Sequence, residues 1–368
     1  MGGISRVYRW INDLHASIPR RIGNGWAFPP LRVGCVLTHR CNLRCRMCFV
    51  WKHGIDGLEK GELTTDEWLG IFKQIPSTAI ITFTGGEPLV RDDIRTLLDA
   101  ACRRNRVHFV SNGTMIRDNL IGHFVELAPR HLFGKGLLSV GISLEGPREQ
   151  HDAMVQIPGS FDRTTGALRE LVAEKRRKKT RYPILDMKIV ICRETIDSLV
   201  NLYDLADEIG LDMISYQQCN MQESSYGIDA AAPDAGFRSP PPIDEIPREQ
   251  VIETIRALKE RSRRGRTELR FNPDMNADYF ARHYRNDFPL REFTCSAAWS
   301  VMHIGPYGTV FPCFSIPMGN LRTTSLRDIW NGEPYRDFRR KILKAGILPG
   351  CTGCCVMKLK SDDPASRA

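Results

Sequence analysis

Thr38-His39-Arg40-Cys41-Asn42-Leu43-Arg44-Cys45-Arg46-Met47-Cys48-Phe49 is the stretch from which the rest of the chain can be read. Its cysteines follow the spacing C-x3-C-x2-C, one thiolate short of a complete tetrathiolate. A cubane iron–sulfur cluster takes four thiolates. Three from the protein leave one iron open to an outside ligand, the logic that separates open catalytic metal sites from closed structural ones. Half a zinc site is the competing reading, because C-x2-C is a common zinc spacing. The nearest histidines, His39 and His53, complete no familiar zinc pattern with these cysteines.

Downstream stands Thr84-Gly85-Gly86-Glu87-Pro88-Leu89, just after the apolar, β-branched run Ala79-Ile80-Ile81-Thr82-Phe83. That run reads as a buried strand. A glycine pair at a strand's C-terminal end lets the backbone approach a ligand closely, and Glu87 supplies a carboxylate there.

Working outward, strands are expected at Val33–Leu37, Ile80–Phe83, Val107–Val110, Leu137–Ser143, Ile184–Ile191 and Met213–Tyr216. Helices are expected at Thr65–Gln74, Asp92–Arg103, Phe161–Lys175 and Ile196–Ile209. Strands alternating with helices imply βαβ units on a parallel sheet. Active sites of such barrels lie at the strands' C-terminal ends. The polar segments fall there: the cysteine loop, the Gly-Gly-Glu segment, Ser111-Asn112-Gly113, and Ser143-Leu144-Glu145-Gly146-Pro147. Residues 220–247 are rich in Gly, Ala, Pro, Asp and Ser and read as a lid or an unstructured linker. A helix at Ile252–Arg261 and a short strand at Glu268–Phe271 follow.

Residues 1–30 lie outside this pattern. Val7, Trp10, Ile11, Leu14 and Ile18 recur at helical spacing beside Arg6, Arg9, Arg20 and Arg21. They read as a helix capping the bottom of the barrel. A basic amphipathic helix over residues 1–21 that touches a membrane surface is the alternative, and it would admit a lipid substrate.

Cysteines return near the C-terminus. Cys295 precedes Trp299–Ile304, a Pro306-Tyr307-Gly308 turn and Thr309–Phe311, with Cys313 just beyond. That is a β-hairpin pattern. Thr324–Trp330 reads as a helix, and Cys351-Thr352-Gly353-Cys354-Cys355 completes the set. A C-x17-C…C-x2-C arrangement closes either a zinc ribbon or a tetrathiolate cluster.

The 368 residues, 42% of them hydrophobic, are enough for a large core. No apolar stretch approaches membrane-spanning length and no signal-peptide pattern opens the chain. Twelve cysteines then argue for reduced thiols and metal ligation in a cytoplasmic protein. The formal charge of +9 is a mild excess. Basic runs such as Lys175–Lys179 and Arg261–Arg266 carry no interleaved aromatics, so they read as solvated faces and no nucleic-acid partner is expected.

The cysteine loop and the Gly-Gly-Glu-Pro segment, in this order, resemble the radical SAM superfamily. The C-terminal hairpin, helix and C-x2-C resemble that superfamily's auxiliary-cluster extension, the SPASM or shorter twitch domain. The resemblance covers the chain from about Val33 and implies an α/β fold: a partial (β/α)6 TIM-like barrel with a small hairpin-and-helix auxiliary domain. It divides the chain into an N-terminal extension (1–30), the barrel (31–220), a lid with a connecting helix (221–290) and the auxiliary domain (291–368). It implies two [4Fe–4S] clusters and S-adenosylmethionine. Cys41, Cys45 and Cys48 would ligate the catalytic cluster, and Cys295, Cys313, Cys351 and Cys354 the auxiliary one, with Cys355 either the substitute for Cys354 or a spare thiol. Thirteen residues after Cys355 leave no room for a second auxiliary set.

By the same resemblance Phe49 packs on the adenine, and Gly85, Gly86 and Glu87 take the methionine amine. Ser143 contacts the ribose or carboxylate, Ser111 and Asn112 face the mouth, and Gln217 lines the adenine side. Val155 and Gln156 depart from the family's Arg-Gly, so Arg193 or Arg148 would have to serve the cofactor carboxylate. Cys219, Glu145 and Tyr216 are the candidates for hydrogen or proton transfer. An electron donor such as flavodoxin or ferredoxin is implied. The expected reaction is dehydrogenation, decarboxylation or epimerisation of a sugar-like or natural-product small molecule. Modification of a ribosomally made peptide is the alternative, and a non-catalytic Fe–S or zinc scaffold is the third reading.

Overall fold

The apolar runs form parallel strands β1 (Arg32–Val36), β2 (Ile80–Thr84), β3 (Arg106–Ser111), β4 (Gly136–Ser143), β5 (Ile184–Ile191) and β6 (Met213–Gln218), paired in that order. The computed structural model describes residues 2–48, 60–219, 243–313 and 316–362, with side chains given from residue 11 to residue 361 within those ranges. The helices are α1 (Gly2–Ile22), α2 (Thr65–Gln74), α3 (Ile94–Arg104), α4 (Asn119–Glu126), α5 (Arg148–Val155), α6 (Ser160–Arg177) and α7 (Leu199–Ile209), then α8 (Arg248–Ser262) and α9 (Ala277–His283). Helix α2 starts at a capping box in which Thr64 and Glu67 satisfy each other's backbone N–H. Sequence periodicity passed over α4, α5 and α9, which are only seven or eight residues long.

The sheet extends past the six expected strands on both sides. β7 (Glu268–Asn272) pairs parallel to β6. On the other edge the C-terminal hairpin, β9 (Val301–Ile304) and β10 (Thr309–Phe311), joins β1 through β9 and continues to β11 (Gly319–Asn320). Among the described residues this gives one ten-stranded sheet, while β8 (Phe293–Thr294) and β12 (Lys358–Leu359) pair separately. The hairpin is therefore continuous with the barrel sheet: Leu31 and Arg32 both donate their N–H to the Ser300 carbonyl.

Successive strand residues face opposite sides. Val33, Cys35, Ile81, Phe83, Val107, Phe109, Val140, Ile142, Met187, Ile189 and Ile214 are buried in the core beneath the helices. The alternate positions, among them Thr82, His108, Ser139, Gly141, Lys188, Ser215 and Gln217, form the concave face. One extra β4 residue at Leu138 lets β3 and β4 keep this alternation across a register shift.

Helix α1 packs on the C-terminal segment. Asp13 pairs with Lys358 at 2.6 Å and Arg20 donates to Thr294 at 3.1 Å. Leu14, Ile18 and Ile22 are left about half exposed. Near the C-terminus, α11 (Glu333–Ala345) carries Arg339, which is wholly buried beside α10 (Leu326–Trp330). Its guanidinium stacks on Trp330 and Tyr335 and donates to the carbonyls of Ala298 and Gly25. This ties the chain's first loop to its last helices. The expected lid falls mostly on residues 220–242, outside the described residues.

Candidate active site

The cysteine loop leaves the end of β1 and docks on the glycine pair. Gly86 N–H donates to Thr38 O and Glu87 N–H to Arg40 O, both at 2.8 Å. A Cβ on Gly85 would lie 2.4 Å from Thr38 O, and one on Gly86 would lie 2.2 Å from Arg40 O. The close approach that the missing Cβ atoms permit here is to the cysteine loop's own backbone.

The other flank of the loop rests on α5. Arg46 N–H donates to Met154 O at 2.9 Å and Arg44 N–H to Val155 O at 3.2 Å. These last-turn carbonyls have no partner within their helix, so the loop satisfies them. Gln156 adopts a left-handed conformation, φ 61°, and its side-chain amide donates to Arg44 O. Val155 and Gln156 therefore hold the cysteine loop. Neither substitute cation turns toward it: Arg148 pairs with Asp162, and Arg193 donates to Glu245 O.

A buried ionic cluster sits beneath. Glu62 accepts from Thr38 Oγ1 at 2.7 Å and from His39 N–H at 3.0 Å. Arg91 joins it at 3.9 Å, pairs with Asp93 at 2.7 Å and donates to Leu37 O and Leu63 O. Sequence reasoning missed Glu62, Arg91 and Asp93, whose motif-like signal is no more than a charge beside an apolar run.

The thiols suit a cluster that consumes thiolate charge. Burial, with a smaller push from Glu87 and Cys48, raises Cys41 to about 11. Burial, then Cys48, Glu145 and Cys41, raises Cys45 to about 12. Each thiol resists ionising beside the others unless a cation collects them. Among the described residues no three Cys, His, Asp or Glu side chains converge on a single ion; a cubane asks for one thiolate per iron instead. Asn112 places its amide 3.9 Å from Cys41 Sγ and 2.9 Å from Asn42 Oδ1.

Glu87 is fully buried and accepts from Leu89 N–H, Ser111 Oγ and Asn112 N–H at 2.7–3.1 Å. Burial outweighs these bonds and raises its carboxyl to about 7. Its carboxylate thus stitches the ends of β2 and β3 together beside Cys41. Glu145 is also buried; it accepts from Val190 N–H at 3.0 Å, and burial raises it to about 7. Ser143 and Gln217 lie on the concave face, with Ser143 in register with Lys188. Phe49 falls outside the described residues.

Tyr216 is not brought to the mouth. Its side chain is wholly buried on the helix side of β6, where its hydroxyl donates to Leu199 O at 2.6 Å. Period-two alternation put Tyr216 opposite to Gln217, a signal the sequence already held. Cys219, just past β6, is half-buried; its N–H donates to Tyr284 Oη at 3.2 Å and its carbonyl meets His283 Nε2 at 2.9 Å.

The C-terminal cysteines converge too. Burial, then Cys295 and Cys313, raises the Cys351 thiol. A hydrogen bond with Cys355 and burial raise Cys354, with Cys351 and Cys295 adding to it. Five thiols thus feel one another, and both Cys354 and Cys355 remain within the set. Because β10 runs antiparallel to β9, Cys313 lies near the level of Val301 and Arg32, at the N-terminal end of β1. The catalytic loop lies past its C-terminal end, roughly 20 Å away at about 3.3 Å per strand residue. The concave face spans the distance between them.

An α/β parallel sheet, an incomplete thiolate loop at the strand ends and a second thiolate set fit a protein built around two iron–sulfur sites. Comparison with known proteins agrees. Residues 35–206 match the model of the radical SAM superfamily, and residues 295–355 match the SPASM iron–sulfur cluster-binding domain. The chain belongs to the radical SAM superfamily and carries a C-terminal SPASM domain. These domains imply S-adenosylmethionine and two [4Fe–4S] clusters. The chain is 24% identical to the AdoMet-dependent heme synthase of Methanosarcina barkeri, over 89% of each chain. It is 25% identical to the PqqA peptide cyclase of Granulibacter bethesdensis, over 83% of this chain and 75% of that one. The structure of Streptococcus suis SuiB bound to its precursor peptide SuiA superposes with TM-score 0.64 at 16% identity, over 92% of this chain and 74% of that one, which shows the shared fold.

Proposed function

We propose that this chain uses S-adenosylmethionine to abstract a hydrogen atom from a small molecule held on the concave face, and that the C-terminal cluster exchanges an electron with the product radical. The observation that carries this reading is the placement of the two thiolate sets at opposite ends of one polar concave face. A substrate lying there reaches both.

When bound, S-adenosylmethionine on the open iron supplies a 5′-deoxyadenosyl radical after one-electron reduction. Cys41, Cys45 and Cys48 would hold the catalytic cluster; Cys295, Cys313, Cys351 and either Cys354 or Cys355 the auxiliary one. Gly85, Gly86 and Glu87 fix the loop against the cofactor's methionine end, and Ser143 and Gln217 face the space where ribose and adenine would lie. Dehydrogenation, decarboxylation and epimerisation each need a hydrogen abstracted, and the first two need an electron removed. The heme synthase relative supports the small-molecule reading; the peptide cyclase relative supports a peptide substrate as the second. Cys219 and Glu145 remain proposed for hydrogen and proton transfer. Among the described residues no helix is long and apolar enough to cross a membrane; a cytoplasmic setting and a flavodoxin or ferredoxin donor belong to the proposal.

The test is anaerobic reconstitution followed by reduction with dithionite in the presence of S-adenosylmethionine. Formation of 5′-deoxyadenosine that disappears in a Cys41/Cys45/Cys48→Ala variant supports the reading. A reconstituted protein that binds iron yet forms none would overturn it.

A further inference from the structure

The concave face carries more charge than a barrel interior needs for packing. Lys188, Ser215 and Arg270 stand side by side, in register across β5, β6 and β7. Lys188 is four-fifths buried and reaches Asp186 at 2.7 Å, which also accepts from Ser215 Oγ at 3.1 Å. A Cβ on Gly141 would lie 2.1 Å from Lys188 Cε and 3.2 Å from His108 Nε2, so the missing side chain makes room for both tips. Burial, then Lys188, Arg270 and Arg32, pushes His108 well below the ordinary histidine range. Three cations therefore crowd one neutral ring.

Arg270 is the member with least to do. Its five N–H donors find, among the described residues, a single hydrogen-bond partner, the weakly accepting Met213 thioether at 3.8 Å. Asp186 keeps Oδ1 buried without a partner. Glu268, two residues before Arg270 on β7, shares its face of the strand. A half-buried guanidinium without an acceptor is costly unless something else supplies one.

We propose that Lys188 and Arg270, bridged by Ser215, recognise a carboxylate of the substrate, and that the substrate is accordingly an organic acid. This rests on the reading of the concave face as the substrate site. Arg270 offers the planar fork that matches a carboxylate's two oxygens, Lys188 a point charge and Ser215 a neutral donor. Asp186 orients Lys188, and its idle oxygen accepts a hydroxyl or N–H from the same molecule. The row lies partway along the strands, between the two thiolate sets. A carboxylate held there fixes one end of the substrate while leaving its neighbouring C–H bonds toward the catalytic loop.

The experiment is thermal unfolding of the reconstituted protein, at constant ionic strength, against acetate, succinate, tricarballylate and butane-1,2,3,4-tetracarboxylate, with inorganic phosphate and sulfate alongside. Ligand that binds only the folded state stabilises it by RT ln(1 + [L]/Kd), so Tm climbs logarithmically once the ligand exceeds its Kd, and the curve gives that Kd. Stabilisation of this form by the polycarboxylates is expected, with the Kd it yields roughly tenfold to a hundredfold higher in Arg270→Gln and partly recovered in Arg270→Lys. Among the described residues Arg270 makes no ion pair, so its variants should fold; the unliganded Tm of each confirms it. No carboxylate effect of this form, an effect unchanged in Arg270→Gln, or equal stabilisation by phosphate would each overturn the proposal. Formation of 5′-deoxyadenosine by the same preparations, measured separately, shows whether the broader reading survives such a failure.

Discussion

Gly86 lies so close to the cysteine loop that a Cβ on it would meet the Arg40 carbonyl oxygen at 2.2 Å. Two motifs that are separate in sequence are therefore one backbone-to-backbone joint, closed by the Glu87 N–H at 2.8 Å from the same oxygen.

Gly86→Ala should break that joint, because a carbonyl oxygen has no rotamer by which to give way. The loop must move, so iron should fall from about eight toward four per chain, and 5′-deoxyadenosine formation should cease. Gly70→Ala, in α2 with open space around it, should leave both unchanged and stabilise by up to about 1 kcal/mol. Iron and sulfide assays on the two variants check this; full iron in Gly86→Ala contradicts it.

The thiolate assignment gives an iron count. The Cys41/Cys45/Cys48→Ala variant should retain about four irons, those of the C-terminal set. A count near zero would mean that the two sets do not load independently. Four irons with zinc in the parent protein would make the C-terminal cysteines a structural zinc site.

Arg91 is 7% exposed and ties Leu37, Leu63, Glu62 and Asp93 together under the cysteine loop. Arg91→Met leaves two carbonyls and two carboxylates without it. Breaking a buried pair of this kind costs about 3–5 kcal/mol. A Tm within a degree or two of the parent would show that water takes over the cluster.

His283 is buried, and burial lowers its pKa to about 4 against the ordinary 6.5. Between those values the unfolded chain binds the proton and the folded chain does not, so stability rises with pH across this window and falls as pH drops from 6.5 toward 4. The full shift corresponds to about 3 kcal/mol. His283→Gln keeps a donor for Cys219 O and should flatten the dependence of denaturation midpoint on pH; an unaltered slope assigns it to other groups.

Tyr216→Phe removes a hydroxyl that bonds Leu199 O inside the core. A loss of about 1 kcal/mol in stability is expected, with 5′-deoxyadenosine formation unaffected. Lost activity at unchanged stability would return Tyr216 to the reaction.

Much of the architecture was legible because it is local. The strand Ile184–Ile191 and the helix Thr65–Gln74 match their expected bounds, since a long β-branched run and a capping box each act within a few residues. Short helices such as α5 and α9 escaped because fewer than three turns leave little periodic signal; the 13-residue α11 was missed as well, although Tyr335, Phe338 and Ile342 mark its buried stripe. The site residues that were missed had a faint one. His108, Asp186, Lys188 and Arg270 are charged or polar positions at alternate places in otherwise apolar strands, a pattern that a buried strand does not need.

The sequence by itself determined the chemistry. An incomplete thiolate triad, a strand end in Gly-Gly-Glu and a second cysteine set are covalent facts that no folding alters, and they fixed the family and its cofactors. Tertiary structure alone decided what those residues touch. It turned the glycine pair toward the cysteine loop and made Val155 and Gln156 props for it. It also joined the C-terminal hairpin to β1 and gathered Lys188, Ser215 and Arg270 into one row. The reason is that which strands pair and which loops dock on which helices is decided between residues far apart in the chain, and composition and spacing do not encode those partners.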